Sequence, residues 1–463
     1  MIEVQDQQVE KLLRDAIHQM PLTKETQLVS ITKRVEPKDP VLFFAAAAKL
    51  NKERCFWTST KDSFSIVGVG NVFEISANQD RFHYTEITWK KLLDDVRIYN
   101  PFQAPGTGLV SLGGLDFDPQ KPRTELWADF PRAKFTVPEY MLTKNMEDVY
   151  FTINLKIRKD DHPVQLMKAI EDVERMLFQA SKDPHGVPHL VNSKVIAPEQ
   201  WKQTVQKAKQ EIQQKQMDKI VLARELRLQF SKQVNISHIL GDLIKKQSNS
   251  YVFAFEQHNS CFVGATPERL VKVDKQELLS TCLAGTAPRG KTEVEDQQMA
   301  DNLLHDQKNR EEHEFVVQMI KQGLNKYCTD VHIPDTPVVY PLKNLQHLYT
   351  PVTGRLKDGF TIFNVVKELH PTPALGGVPR DLSMRFIRDY ERLDRGWYGA
   401  PVGWLDSNDH GEFAVAIRSA LIQEDEASLF AGCGIVKDSN PEEEFEETRI
   451  KFFPMLTVLG GQA

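Results

Sequence analysis

The chain has 463 residues, of which 41% are hydrophobic and 26% are charged, and its formal net charge is -6; such a composition is typical of a soluble globular protein with a sizeable core. The acidic balance argues against a nucleic-acid-binding protein, which needs a basic surface, and no apolar run reaches the roughly 18 residues of a membrane-spanning helix. Five scattered cysteines without a CxxC pair predict a reduced, cytoplasmic chain that has neither a disulfide framework nor a zinc site.

The N-terminal half is predicted to begin with a helix and to continue with strands. The first 20 residues lack the basic start and apolar core of a signal peptide, and their periodicity indicates an amphipathic helix. Residues 64–75 and 148–157 have the composition of strands.

One internal boundary is predicted, in the segment 181–201, which contains three prolines and few helical signals. We therefore expect a single large unit, residues 1–463, made of an N-terminal α+β part (1–190) and a second part (191–463).

The second part is predicted to mix strands with helices. A helix begins at Pro198, with apolar residues at helical spacing, and a long helix covers 293–326. The strand-like segments are 219–226, 250–256, 261–266, 268–273, 412–422 and 428–436. Strand runs mixed with helices predict an α+β fold of layered sheets flanked by helices rather than an alternating barrel.

The last predicted helix is strongly acidic. Asn440 is suited to its N-cap, with Pro441 at the first helical position. Beyond the first turn, Glu444, Glu447 and Lys451 share one face. This face could be a solvated surface or half of a site, and the helix alone leaves both open.

The helix predicted over 293–326 carries a second unusual carboxylate. Phe315, Val316, Met319 and Ile320 define a predicted inward stripe, and Glu312 falls in its middle. A carboxylate facing a core must be paired or bind a metal. A buried ion pair is one explanation. The other is a magnesium ion held between the two acidic helices, since Mg²⁺ takes oxygen ligands and often only one or two protein carboxylates.

Residues 285–292, "GTAPRGKT", match the pattern of a phosphate-binding loop. Pro288 argues against this function because it offers no N–H to a phosphate. A nucleotide-binding protein remains the alternative from a different functional class.

Nine motifs follow one another in the order found in chorismate-utilising enzymes, which include isochorismate synthases, salicylate synthases and the synthase subunits that make anthranilate and aminodeoxychorismate. The resemblance covers roughly 195–463, and nine ordered motifs are more specific than any single one. They are "DKIVLARE" (218–225), "GATPERL" (264–270), "LAGTAPRG" (283–290), "REEHEFV" (310–316), "LQHL" (345–348), "RGWYGAPVGW" (395–404), "AIRSA" (416–420), "AGCGIV" (431–436) and "EFEETRIK" (444–451).

Two further segments narrow the resemblance. "HPTPALGG" (370–377) is similar to isochorismate synthases, and the N-terminal half with "GGLDFD" (113–118) is similar to the longer isochorismate synthases of menaquinone biosynthesis. The resemblance implies the fold of the anthranilate synthase large subunit, with 191–463 as the catalytic, chorismate-binding part.

The resemblance also implies how a dianionic substrate is bound. Glu312 and Glu447 would hold Mg²⁺, which grips the ring carboxylate, and Glu444 would support the ion through water. Asn309 stands where some relatives have a carboxylate, so the resemblance does not determine which residues surround the direct metal ligands. The enolpyruvyl carboxylate and the ring would be met by the remaining substrate-binding residues, namely Gly285, Thr286, His347, Tyr398, Arg418, Gly432, Gly434 and Lys451. For Lys451, a simple helical pairing with Glu447 is the alternative.

The implied reaction moves a hydroxyl group: water attacks ring carbon 2, the double bonds shift, and the hydroxyl on carbon 4 leaves. Lys219 would be the base and Glu268 the acid. Both roles need an unusual protonation state, which an enclosed, partly desolvated pocket would favour. Taken singly, the two residues could instead be a strand-edge lysine and a surface partner of Arg269.

The resemblance also excludes some chemistry. Ala284 stands where aminodeoxychorismate-type enzymes carry a nucleophilic lysine, so a covalent amine intermediate is not expected. Cys433 is expected to be a small buried residue. We expect a monomer acting on chorismate without a glutaminase partner, nucleic acid or membrane. A salicylate synthase or an anthranilate synthase component remains the alternative within the family.

Overall fold

Two β-sheets lie at the centre of the computed structural model, which describes residues 6–179, 188–342 and 345–461. Several helices start with a proline in the first turn, where the missing N–H costs no hydrogen bond. The α-helices are α1 (Asp6–His18), α2 (Pro40–Ala47), α3 (Arg81–Asp95), α4 (Pro163–Phe178), α5 (Pro198–Gln213), α6 (Ile236–Lys246), α7 (Glu293–His305), α8 (Gln307–Tyr327), α9 (Ile362–Leu369), α10 (Arg380–Tyr390), α11 (Pro441–Lys451) and α12 (Phe453–Leu456).

The strands come from the whole length of the chain. They are β1 (Gln27–Val35), β2 (Arg54–Ser59), β3 (Phe64–Val69), β4 (Phe73–Ala77), β5 (Arg97–Tyr99), β6 (Val110–Leu115), β7 (Ala133–Val137), β8 (Tyr140–Asn145), β9 (Asp148–Ile157), β10 (Leu190–Val195), β11 (Lys219–Phe230), β12 (Tyr251–Gln257), β13 (Ser260–Thr266), β14 (Arg269–Asp274), β15 (Glu277–Pro288), β16 (Cys328–His332), β17 (Val338–Pro341), β18 (Leu345–Leu356), β19 (Gly377–Val378), β20 (Pro401–Asp406), β21 (His410–Val415), β22 (Ser419–Gln423) and β23 (Glu426–Ile435).

The first sheet has the order β10-β11-β23-β22-β13-β12-β2-β3-β8-β9-β1-β5, with β19 paired to β11. The second has the order β16-β18-β15-β14-β21-β20-β6-β7-β4, with β17 paired to β18. Almost all neighbours are antiparallel; β1 and β5 pair in parallel. Both sheets contain strands from before and after residue 190, while residues 180–187 lie outside the described ranges, so the division at that point stays a prediction.

Three apolar cores define the layers. One lies between the first sheet and helices α1, α2, α4 and α6. An aromatic core lies between the two sheets and includes Trp57, Phe262 and Trp397. The third packs helices α3, α8 and α9 onto the second sheet. The predicted architecture of layered sheets flanked by helices is confirmed. No helix in the described part of the chain has the length and apolar character needed to cross a bilayer.

The helix predicted over 293–326 is two helices. Asp306 ends α7 and is the N-cap of α8, where its side chain accepts a hydrogen bond from the Asn309 N–H at 2.8 Å. A side-chain acceptor at this point satisfies the free N–H groups of a new helix start, which explains the break. The strand predicted over 412–422 is likewise divided, into β21 and β22, and Arg418 lies at the bend between them.

Candidate active site

Lys219, the predicted base, is the first residue of β11 and pairs there with Val378 of β19. Its Nζ lies 2.5 Å from Glu312 Oε1 of α8, and its side chain is 21% exposed. The side chain passes over Gly434 of β23, where an added Cβ would lie 2.9 Å from Lys219 Cε. A larger residue at 434 would therefore displace the lysine.

Gly432 and Gly434 form a floor without side chains. They alternate with the buried residues Ala431, Cys433 and Ile435, so both glycines lie on the more accessible face of β23. Strand β22 pairs with β23 only as far as Leu429, which leaves the edge beside the glycines without a strand partner in the described sheet. An added Cβ on Gly432 would meet the hydroxyl of Tyr398 at 3.4 Å. Lys219 and Tyr398 thus lie at the two ends of this glycine floor.

Arg418 lies between the last strands in a left-handed backbone conformation, with φ of +52°. This conformation is uncommon for a residue with a long side chain, and such residues concentrate at functional sites. Its Nη1 donates to the Lys451 carbonyl at 3.2 Å. Burial lowers the pKa of Arg418, although nearby Tyr398, Glu268 and Glu447 favour the charged form. Arg418 is therefore a strong candidate for binding an anion.

Glu268, the predicted acid, follows β13 and is only partly accessible. Burial raises the pKa of its carboxyl to about 7, while the charge of Arg418 acts in the opposite direction. In the described part of the chain, Glu268 does not pair with Arg269, which was the alternative for this residue. Arg269 bonds instead to Glu412 at 2.8 Å. Glu268 is thus free to exchange a proton near neutral pH.

Glu312 is exposed, which corrects its predicted place in an inward stripe. Phe315, also predicted to face inward, is 50% exposed. The buried residues of α8 are His313, Val316, Val317, Ile320, Gly323 and Leu324. Val316 and Ile320 are buried as predicted and Met319 is partly buried, so only Phe315 and Glu312 were misplaced. The prediction counted only apolar residues, whereas His313 is part of the buried face.

His313 fixes α8 against the second sheet. Burial lowers its pKa, so the ring is neutral near pH 7. Its Nδ1 donates to the Ala284 carbonyl at 3.0 Å, and Nε2 accepts from the Thr350 hydroxyl at 2.7 Å. Because His313 follows Glu312 directly, these bonds also determine where Glu312 lies.

Gly285 and Thr286 lie at a bulge of β15 beside the start of α8. Gly285 has φ of +75°, and the Thr286 N–H donates to Asn309 Oδ1 at 3.1 Å. The Thr286 hydroxyl is 2.9 Å from His347 Nδ1. Burial, together with the charges of Arg418 and Lys451, lowers the pKa of His347 to about 4. Asn309 therefore holds the loop that the resemblance assigned to the substrate.

On α11, Lys451 contacts both Glu447 and the glycine floor. Its Nζ lies 2.6 Å from Glu447 Oε1 and donates to the Gly432 carbonyl at 2.9 Å. The helical pairing considered as an alternative is thus present, together with a contact to β23 that the pairing alone does not explain.

Glu444, one turn before Glu447, has an unsatisfied carboxylate. Its Oε1 accepts a hydrogen bond from the Ser439 hydroxyl at 2.6 Å, but its Oε2 is buried without a partner. Burial raises the pKa of Glu444, and the charge of Glu447 adds to this. A buried carboxylate oxygen without a donor is suited to a nearby cation or to a water bound to one.

Glu268 connects the two acidic helices electrostatically. Burial raises the pKa of the Cys282 thiol, and the charges of Glu268 and Glu312 raise it further, so both carboxylates lie near Cys282. Arg418 interacts with both Glu268 and Glu447. The two helices therefore face one region. In the described ranges no three His, Cys, Asp or Glu side chains form a metal-binding group, and the predicted site uses only two direct ligands.

Two N–H groups of the loop at 285–292 are already bonded to carboxylates. The Gly290 N–H donates to Asp296 Oδ1 at 2.8 Å, and the Lys291 N–H donates to Glu295 Oε2 at 2.9 Å. Two carboxylates would repel a phosphate from this position.

Cys433 is 1% exposed, which confirms the prediction of a small buried residue, and burial raises the pKa of its thiol. Two residues were not singled out in the sequence, His313 and Arg224. A signal existed for Arg224, since it is a charged residue inside the apolar run of β11.

The chain is similar to known proteins over almost its whole length. A family model described as "Chorismate binding enzyme" matches residues 15–460. The isochorismate synthase MenF of Bacillus subtilis is 39% identical over 456 residues, which cover 96% of this chain and 96% of that protein. The salicylate biosynthesis isochorismate synthase of Pseudomonas aeruginosa is 33% identical over 453 residues, covering 96% and 94%.

Two solved structures share the fold over most of the chain. The menaquinone-specific isochorismate synthase MenF from Escherichia coli superposes with a TM-score of 0.79 at 25% identity, covering 98% of this chain and 100% of that one. Anthranilate synthase component I from Streptococcus pneumoniae has a TM-score of 0.72 at 22% identity, covering 86% and 92%, and shows the fold alone. Together with the family match over almost the whole length, these findings show that the chain belongs to the chorismate-binding enzymes.

Proposed function

We propose that this protein is an isochorismate synthase that interconverts chorismate and isochorismate. The observation that carries the proposal is the half-buried carboxyl of Glu268, whose pKa burial raises to about 7, and its electrostatic interaction with the half-buried guanidinium of Arg418. One group can give up a proton near neutral pH, and the other can hold an anion next to it. The names of full-length relatives support the same activity.

The reaction exchanges one hydroxyl for another. Lys219 in its neutral form takes a proton from the water that attacks ring carbon 2, and the ring double bonds shift. Glu268 in its protonated form gives a proton to the hydroxyl that leaves carbon 4 as water. Atoms and charge balance, since one water enters and one leaves. Because Glu268 is half protonated near pH 7, a large share of the enzyme carries the required acid.

The substrate carboxylates need positive charge and donors in an otherwise acidic chain. Arg418 would bind the enolpyruvyl carboxylate, because its planar guanidinium suits a carboxylate. Tyr398 and the N–H groups of Gly432 and Gly434 would complete that subsite, with Lys451 adding charge. Gly285, Thr286 and the neutral His347 would line the ring.

Glu312 and Glu447 would hold Mg²⁺, with Glu444 supporting it. All three offer carboxylate oxygens, the ligands that magnesium prefers, and the partnerless Oε2 of Glu444 fits such a neighbour. When bound, the ion supplies a positive charge that neutralises the ring carboxylate.

A product assay tests the proposal. Purified protein is incubated with chorismate and MgCl₂, and the products are separated by chromatography; isochorismate is expected. Salicylate without an added lyase would instead show a salicylate synthase, and anthranilate in the presence of ammonia would show an anthranilate synthase component. ATP binding that depends on Lys291, without turnover of chorismate, would favour the nucleotide-binding alternative.

The biological setting is also proposed. The relatives named MenF favour a role in menaquinone biosynthesis, which restoration of menaquinone in a strain lacking its isochorismate synthases would test. We expect a cytoplasmic monomer that needs no glutaminase, with 191–463 as its catalytic part. Light scattering of the purified protein tests the expected monomer.

A further inference from the structure

Arg224 is a buried cation with an unusual environment. Arg224 lies in β11 and is 3% exposed. Within the described ranges no carboxylate forms a close ion pair with it, although the charge of Glu446 on α11 acts on it. Instead its guanidinium lies over the rings of Phe445, Phe452 and Trp201, at 3.8, 4.9 and 5.9 Å from their centroids. Burial lowers its pKa to about 10. Burying a charge without a counter-ion in direct contact is costly, so the contacts that Arg224 makes need explanation.

These contacts join β11 to α11 at two particular residues. Arg224 Nε donates to the Thr448 hydroxyl at 2.6 Å, and Nη2 donates to the Phe445 carbonyl at 3.0 Å. Thr448 directly follows Glu447, and Phe445 directly follows Glu444. The Thr448 hydroxyl also donates to the Phe445 carbonyl at 2.8 Å. One guanidinium thus holds the turn of α11 that carries both carboxylates.

The same strand carries Lys219, five residues before Arg224. We propose that Arg224 is a positioning residue that fixes the carboxylates of Glu444 and Glu447 relative to Lys219, by binding α11 to the strand on which Lys219 lies. This inference rests on the proposed function, because it assigns Glu444 and Glu447 to the cation that would bind the substrate. Arg224 would act through α11, to which it is bonded, and not by direct contact with the cation or the substrate.

A cavity of about 410 Å³ makes the inference testable by chemical rescue. It is lined by Arg224 together with Trp201, Thr204 and Tyr390. A small guanidinium compound can therefore reach the position of the missing side chain in an Arg224→Ala variant.

The first experiment compares Arg224→Met with Arg227→Met. Arg227 lies on the same strand but is bonded to Glu225 and is 41% exposed, which makes it a matched control. Mn²⁺ binding is measured by electron paramagnetic resonance without substrate, and kinetics with chorismate and Mg²⁺ follow. Arg224→Met is expected to weaken Mn²⁺ binding about tenfold, as loss of a residue that orients metal ligands does, whereas Arg227→Met should match the wild type. Unchanged Mn²⁺ affinity and turnover in Arg224→Met would overturn the inference.

Rescue and amide exchange separate positioning from general stability. Methylguanidinium should restore Mn²⁺ binding to Arg224→Ala, and methylammonium at the same concentration should not; equal effects of both would contradict the inference. If neither Arg224 variant folds, Thr448→Val replaces them. It leaves the guanidinium in place and removes the hydroxyl that accepts from Nε and donates to the Phe445 carbonyl, and it should weaken Mn²⁺ binding about threefold. Normal binding in Thr448→Val would then overturn the inference.

Hydrogen exchange of α11 in the metal-free protein distinguishes a failure of the positioning role from a failure of the proposed function. If the wild type does not convert chorismate but α11 exchanges faster in Arg224→Met than in the wild type, Arg224 still holds α11 and only the proposed function is refuted. If the wild type converts chorismate but Arg224→Met changes neither α11 exchange nor Mn²⁺ binding, only the positioning role of Arg224 is refuted.

Discussion

The helices α8 and α11 each carry a glutamate that pairs with a lysine, but the lysine lies on another element in one case and on the same helix in the other. Glu312 of α8 pairs at 2.5 Å with Lys219, which lies on another element. Glu447 of α11 pairs at 2.6 Å with Lys451 of its own helix. The second pair can form as soon as the helix forms, whereas the first requires α8 and β11 to be docked. Only the α8 pair therefore depends on the tertiary structure.

The two helices are also anchored in a similar manner, by the residue after each carboxylate. His313 bonds to the Ala284 carbonyl and to the Thr350 hydroxyl of the second sheet. Thr448 accepts from Arg224 of the first sheet. Each sheet thus fixes one of the two acidic helices, and the site depends on how the sheets pack together.

The largest expected effect is a loss of activity in Lys219→Ala, which distinguishes Lys219 from Lys451. Lys219→Ala should lower kcat by about 10³-fold, because it removes the group assigned to activate water, while thermal melting should stay close to that of the wild type. Initial rates of isochorismate formation measure the loss, with the exposed Lys245→Ala as a control. A rate within about threefold of the wild type would remove Lys219 from its role.

The comparison predicts equal metal effects on the two helices. Glu312→Gln and Glu447→Gln should each raise the Mg²⁺ concentration for half-maximal activity about 10- to 100-fold, since each loses a charged oxygen ligand. The controls are Glu311→Gln and Glu443→Gln, at exposed residues of the same two helices, which should behave as the wild type. An unchanged titration in either test variant would break the symmetry between the helices and exclude that residue as a ligand.

Glu268, which lies between the two regions, should make stability depend on pH. Its folded pKa is raised from 4.5 to about 7, so the folded state holds this proton more tightly than the unfolded state. The resulting stabilisation is complete below about pH 4.5 and is lost as pH rises through about 7. Relative to Glu268→Gln, the wild type should lose about 2 kcal/mol of unfolding free energy from pH 5 to pH 8, allowing for its partial exposure.

Urea unfolding at both pH values measures this difference. Glu277→Gln, at a carboxylate that is 72% exposed, is the control and should show no such change. A difference between wild type and Glu268→Gln that stays constant with pH would show that Glu268 titrates in the ordinary range.

The smallest effect is expected for Lys451→Ala. This lysine contributes charge near the substrate but is already bonded to Glu447 and to the Gly432 carbonyl. We expect KM for chorismate to rise about fivefold with little change in kcat, which matches the modest value of a partly exposed charge. Steady-state kinetics measure both constants. A loss of kcat as large as that of Lys219→Ala would show that Lys451 is as important for turnover as Lys219, and would contradict its assignment to substrate binding.

The amino-acid sequence determined much of this molecule through local physics and ordered motifs. Helix α5 begins at Pro198 as predicted and buries Trp201, Val205, Ala208 and Ile212, because apolar spacing fixes which face of a helix is inward. The motifs also indicated the family and the residues proposed for the site.

Only the tertiary structure decided how those residues meet. The break at Asp306 has a local cause, the N-cap of α8, which apolar periodicity does not reveal. The outward position of Glu312 depends on the packing partners of α8, which lie far away in the sequence. The role of Arg224 was hidden because its partners, Phe445 and Thr448, lie more than 200 residues away in sequence. A buried hydrogen bond or ion pair between distant elements has no local signal, since its free energy arises only when the elements are packed together.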